Sequence, residues 1–176
     1  MLKLPNKPDA ILSVKMCGEN NHSSYNPNHP LKRGLYDYID KEFDSLGMYE
    51  VAVIGTGSNP NYAKEISKKM EVEDKDNIEI KAIDPELVPS NRYLFDVVPE
   101  TYQKYYGLNG KSDSGEELAR HVSETLRPGF FALEMCNHQN NDKKIKEIGE
   151  LLSSNGYSVE NRGYFPKGSL IACKNC

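Results

Sequence analysis

Three short runs rich in β-branched and apolar residues dominate the chain: YEVAVI at 49–54, IEIKAI at 78–83 and FFALEMC at 130–136. Runs this short and this continuously apolar read as strands buried on both faces. Patterns of helical period lie between them. Leu31, Leu35, Tyr38, Ile39, Phe43 and Leu46 recur at three- and four-residue intervals, predicting an amphipathic helix from Pro30 to near Gly47. Residues 59–70, 114–126 and 142–155 predict three more helices, the last closed by Gly156 as a left-handed cap. A further apolar run, 93–98, ends at Pro99. The last two strands, 157–165 and 169–174, are joined by Pro166-Lys167-Gly168, a junction that permits only an antiparallel hairpin.

Strands alternating with helices predict an α/β domain of three layers, a mostly parallel sheet covered on both faces. The 176 residues suit one domain, with an irregular arm over 1–29 and the α/β core over 30–176. A net charge of −4 disfavours bulk nucleic acid as a partner, since neutralising phosphates needs a basic surplus. No 18-residue apolar stretch exists, so no membrane span is expected, and Pro5, Pro8 and Asp9 interrupt any secretory signal. Four cysteines do not make a disulfide scaffold, so a cytoplasmic setting is expected, with Cys173 and Cys176 read as two free thiols. Cys17, His22 and His29 are too loosely spaced for a metal site, and none is expected.

Parallel sheets bind ligands beyond the carboxyl ends of their strands, near the switch point beside the first strand. Taking 49–54 as that strand, the following loop is Gly55-Thr56-Gly57-Ser58-Asn59, whose glycines admit close backbone approach. Asp84 follows the neighbouring strand, where a carboxylate can accept both hydroxyls of a ribose. The pair predicts a nucleoside site. A dinucleotide site wants a third glycine where Pro60 stands, and proline removes a donor for the pyrophosphate. Glu134, inside a buried strand, must be paired or functional. His138 occupies a loop position where a general base could sit, or is a plain solvent-exposed histidine.

VAVIGTGSN, IEIKAIDPE, the LRPG turn before FFALEM, and the ending NGYSVENRGYFPKGSLIACKN together resemble the class I S-adenosylmethionine-dependent methyltransferases over about residues 30–175. The resemblance implies a Rossmann-like methyltransferase fold with a closing antiparallel hairpin. It also implies S-adenosylmethionine as cofactor, methyl transfer as the activity, and a small-molecule or protein acceptor. Gly55, Thr56, Gly57 and Asn59 would then line the methionine moiety, Asp84 would take the ribose, and Pro85 would lie by the adenine. Pro99 and Glu100 would face the sulfonium and acceptor. The family usually has an acid at Val53 and a glycine at Asn59, so a non-catalytic scaffold on this fold stays open, as does a nicotinamide- or flavin-binding oxidoreductase domain. The eight residues between Asp84 and Tyr93 cannot hold a helical crossover, so one strand–helix unit is expected to be missing, leaving six strands. The alternative is that 86–110 form a lid. A homo-oligomer or partner subunit could complete the pocket.

Overall fold

The computed structural model describes residues 7–13, 30–54, 75–83, 119–120, 122–135, 141–161 and 168–174. Six strands among them form one sheet: β1 (Ala10–Ser13), β2 (Tyr49–Ile54), β3 (Ile78–Ile83), β4 (Phe130–Met135), β5 (Ser158–Asn161) and β6 (Gly168–Cys173). Two long helices accompany them, α1 (Pro30–Glu42) and α2 (Asn141–Ser154). The strand order is β3-β2-β1-β4-β6-β5. β1 to β4 run parallel, whereas β6 lies antiparallel to both β4 and β5.

The centre of this sheet corrects one expectation. Residues 1–29 were expected to be an irregular arm, yet Ala10–Ser13 is the strand between β2 and β4. All four of its residues are buried. Ile11 packs on one side with Phe131 and α2, while Leu12 packs on the other with Val51, Ala132 and α1. A strand enclosed this way needs only a short apolar run, and AILS between Asp9 and the polar stretch beyond is that run. The run 49–54 is therefore the second strand, not the first. The apolar run 93–98, the helix over 59–70 and the short connection after Asp84 lie outside the described residues.

Alternation along the strands sorts the core into two layers. Under α1, the side chains of Leu31, Leu35, Ile39 and Phe43 meet Leu12, Val53 and Phe130. On the opposite face, Ile145, Ile148 and Leu152 of α2, with Val122 and Leu126, cover Ala52, Leu133 and Leu170. Helices on both faces give the expected three layers. The helix expected over 114–126 is described only near its end, where Arg127 N donates to Val122 O at 2.6 Å in a π-helical turn. α2 closes as expected at Gly156, whose φ of +89° favours glycine.

α1 stops at Glu42, short of the expected end near Gly47. Asp44 Oδ1 accepts hydrogen bonds from the amides of Leu46 (2.9 Å) and Gly47 (2.7 Å), closing a turn that competes with the helix. The same bonds hold the Asp44 carboxyl below its ordinary pKa. Leu46, assigned to the apolar stripe by its spacing, is consequently 92% exposed.

The amino end of the sheet is fastened by polar contacts. Asp9 N donates to Glu50 O and Glu50 N to Asp9 Oδ2, both at 2.8 Å, and Gly129 N donates to Asp9 O at 2.9 Å. Tyr157 Oη donates to Pro128 O at 2.8 Å, and Lys174 Nζ to Arg127 O at 3.0 Å. Cys173, at the end of β6, is disulfide-bonded, which corrects the expectation of two free thiols; its partner lies outside the described residues. Among the described residues no helix is long and apolar enough to cross a membrane.

Two expected outcomes follow from this packing. Leu12→Ala should destabilise by about 2–5 kcal/mol in urea denaturation, as for a core leucine, while Leu46→Ala stays within about 0.5 kcal/mol; an irregular arm would give two small values. Burial pushes the Tyr157 hydroxyl up to about 12 from its ordinary value of 10.0, so the folded state holds the neutral phenol after the unfolded chain has ionised. Its share of stability is therefore complete below pH 10 and falls away between pH 10 and about 12. Unfolding free energies of wild type and Tyr157→Phe from urea denaturation should differ by about 1 kcal/mol at neutral pH, and the wild-type advantage should vanish across that window.

Candidate functional site

The parallel strands fix where a ligand can sit. β1 leads to β2 and then β3 on one side, while β4 lies on the other side of β1, so the order of strands reverses between β1 and β4. The crevice of such a sheet opens beyond the carboxyl ends of the strands at that reversal. Here those ends are Ser13 and Met135, with Ser13 in register with Leu133. The expected switch point beside 49–54 is corrected accordingly, because that strand lies one position toward the edge.

Gly55, Thr56, Gly57, Asn59, Asp84, Pro85, Pro99, Glu100 and His138 all lie outside the described residues. The strands that carry several of them are described. Ile54 and Ile83 are direct register partners on adjacent parallel strands, so the chains leading to Gly55 and Asp84 leave the sheet side by side. Neighbouring strands stand about 4.8 Å apart, so β2 and β3 end at neighbouring positions. His138 comes three residues in sequence after the end of β4, the strand across the reversal from β1.

The described floor of the crevice holds a polar group that sequence spacing identified only in part. Lys32, Glu134 and Ser169 are each at most 2% exposed. Phe130 and Ala132 belong to the layer under α1, and alternation puts Glu134 there too. The same alternation along β6, from Ile171 and Cys173, puts Ser169 on that face, directly opposite Glu134 in register. Lys32 belongs to the stripe Lys32, Leu35, Tyr36 and Ile39 that α1 buries.

The direction of α1 sets their height. The Tyr38 ring lies 5.2 Å from that of Phe130, and the Phe43 ring stacks on Tyr49 at 4.1 Å. Phe130 and Tyr49 begin their strands, so α1 runs from the carboxyl end of the sheet to its amino end. Lys32 precedes Tyr38 by about 9 Å of helix, and Glu134 stands about 13 Å along β4 from Phe130. All three groups therefore gather at the carboxyl end, beneath the reversal, and each has an interaction partner.

Burying a charge is expensive unless an opposite charge or hydrogen bonds compensate it. Lys32 and Glu134 put opposite charges into one dry layer, an arrangement in which each can offset the other's cost. Glu134 was legible as a buried acid; Lys32 was missed, though a lysine within an apolar helical stripe is the signal that could have found it. Glu50, also buried, sits at the opposite end of the sheet with its amide tied to Asp9, a structural position. An open groove of about 210 Å³ between α1 and β4–β6–β5 is lined by Tyr38, Phe130, Ile171 and Cys173. It lies toward the amino end, away from the crevice. Among the described residues no three His, Cys, Asp or Glu side chains gather as metal ligands.

A double-mutant cycle tests the buried charges. Lys32→Met and Glu134→Leu should each destabilise, and the double variant should recover at least about 1 kcal/mol of the summed loss, the coupling expected of groups that share one environment. Additive losses in urea denaturation would mean that each charge is compensated separately.

No protein-family description matches the chain, and no curated protein matches it. Among solved structures it is similar to a methyltransferase from Pyrococcus furiosus, with 16% identity and a TM-score of 0.36 over 99% of this chain and 78% of the other. It is also similar to a candidate transferase from Pyrococcus horikoshii, with 10% identity and a TM-score of 0.32 over 97% of this chain and 58% of the other. At that degree of superposition neither likeness carries a functional assignment.

Proposed function

We propose that this chain binds S-adenosylmethionine and transfers its methyl group to a small-molecule or protein acceptor. The observation that supports this reading above others is the antiparallel β6 between β4 and β5. A dinucleotide fold joins two parallel mononucleotide halves, with strand order 3-2-1-4-5-6. This sheet keeps β3-β2-β1-β4 and replaces the second half with a hairpin. Among the described residues such a sheet offers one nucleoside site, which suits an adenosyl cofactor. The closing hairpin is also among the features by which the sequence resembles class I methyltransferases.

The chain's residues take the following roles on this reading. Asp84 holds the ribose hydroxyls, and the loop Gly55-Thr56-Gly57 with Asn59 lets backbone approach the cofactor. Their strands end side by side, as a nucleoside spanning the two loops requires. Pro85 packs by the adenine, and Pro99 and Glu100 border the reacting centre. His138, following β4, faces the acceptor side, where an imidazole can take the acceptor's proton. When bound, the sulfonium supplies an activated methyl group, and the protein's main task is to align acceptor, methyl and sulfur. No nucleophilic side chain is needed.

Calorimetric titration separates this reading from its rivals. S-adenosylhomocysteine should give heat and NAD none; the reverse would favour an oxidoreductase domain, and no heat from either a non-catalytic protein. Asp84→Ala should weaken S-adenosylhomocysteine binding by about 1.5–3 kcal/mol, the worth of charged hydrogen bonds. Unchanged affinity would remove Asp84 from the ribose.

A further inference from the structure

The groove beside α1 is built from two elements of different chemistry. Gly34, Asp37, Tyr38 and Lys41 recur at three- and four-residue intervals, so they form one stripe along α1. Facing that stripe, Phe130, Cys173 and Ser158 stand in one row across β4, β6 and β5, with Ile171 and Glu160 in the next row. A Cβ at Gly34 would collide with Ile171, so the missing side chain lets α1 rest directly on β6. The space left between the helix and β5 is about 210 Å³.

Half-buried Tyr38, with Phe130 and Ile171, makes an aromatic and apolar floor. Each rim carries an exposed carboxylate, Asp37 on α1 and Glu160 on β5. Lys41 also borders the groove, but its ammonium lies 3.7 Å from the carboxylate of Glu42, which offsets its charge. Glu160 has a partner of its own, whereas Asp37 makes no hydrogen bond or ion pair among the described residues.

An apolar floor between acidic rims complements a long side chain with an apolar stem and a cationic head. The size selects a single side chain, because small-molecule pockets run to about 300–1,000 Å³. Between lysine and arginine the aromatic floor decides, since a planar guanidinium stacks on a ring and offers donors to two carboxylates at once. We propose that this groove docks an arginine side chain of a partner polypeptide. The stem lies on Phe130 and Ile171, the guanidinium covers Tyr38 and pairs with Asp37, and Glu160 adds negative charge from the opposite rim. Arginines seated in this way are among the residues that carry most of the binding energy of protein interfaces. The groove lies toward the amino end of the sheet, away from the crevice, so the proposal is independent of the methyl-transfer reading.

Titrating the isotope-labelled full chain with acetyl-Gly-Gly-Arg-Gly-Gly-amide, followed by amide chemical shifts, tests the assignment. Shifts should cluster at Gly34, Asp37, Tyr38, Ser158 and Glu160. The citrulline peptide, alike in shape but neutral, should bind at least about tenfold more weakly. Asp37→Asn changes an exposed position and should leave folding intact. It should weaken the arginine peptide about three- to fivefold and leave the citrulline peptide unchanged. No shifts in the groove at about 10 mM peptide, or the same affinity for Asp37→Asn, overturns the proposal. Equal or tighter binding of the lysine or citrulline peptide would overturn the guanidinium, and of propylguanidinium the polypeptide source. A dimer of the free chain that Asp37→Asn dissociates would give the groove to a second copy instead.

Discussion

Everything at the working end of this sheet depends on four residues. Ala10–Ser13 pairs with β2 on one side and β4 on the other, and its side chains fill both core layers. That double enclosure makes the strand the pivot from which the order runs outward in both directions. The reversal beside β1 is what opens a crevice at the carboxyl ends. Without it, β2 and β3 would be a two-stranded ribbon, marginal in water, and β4 would have no parallel neighbour. The pivot also fixes the direction of α1, which must return from the carboxyl end to the amino end to enter β2.

Much of the architecture was written locally. YEVAVI, IEIKAI and FFALEM became strands within a residue of their expected bounds, because runs buried on both faces carry their own signal. The closing hairpin was equally legible, since Pro166-Lys167-Gly168 allows one connection only. AILS was not legible in the same way. Its run is only four residues long, Pro8 and Asp9 precede it closely, and only partners at residues 51–54 and 130–133 reveal what it does. Register is a property of partners distant in sequence, so missing this one strand shifted the identity of every strand after it by one place.

The end of α1 shows a second limit. Leu46 keeps the helical spacing of Leu31, Leu35 and Ile39, but Asp44 offers its carboxylate to two amides just beyond Glu42. A side chain that satisfies the final donors outcompetes one more turn of helix. Lys32 illustrates the converse: periodicity alone put an ionic group in the core, and the habit of assigning lysines to the surface hid it. Glu134 was legible because an acid inside an apolar strand has no solvent-facing position open to it. As for the glycine loop and Asp84, the sheet bears on them through the strands that precede them, which end as register partners.

The two ends of the sheet differ in the kind of polar group they bury. At the amino end, the Asp9, Gly129, Tyr157 and Lys174 bonds involve backbone carbonyls or amides, which hold the fold together. Lys32 and Glu134, at the carboxyl end, are ionisable side chains kept out of water. A fold needing only stability there could fill the same volume with apolar side chains at equal or lower free energy. Keeping ionisable groups beneath the β1–β4 reversal costs desolvation without an evident gain in packing. Such a cost is tolerated where a fixed field orients something above it.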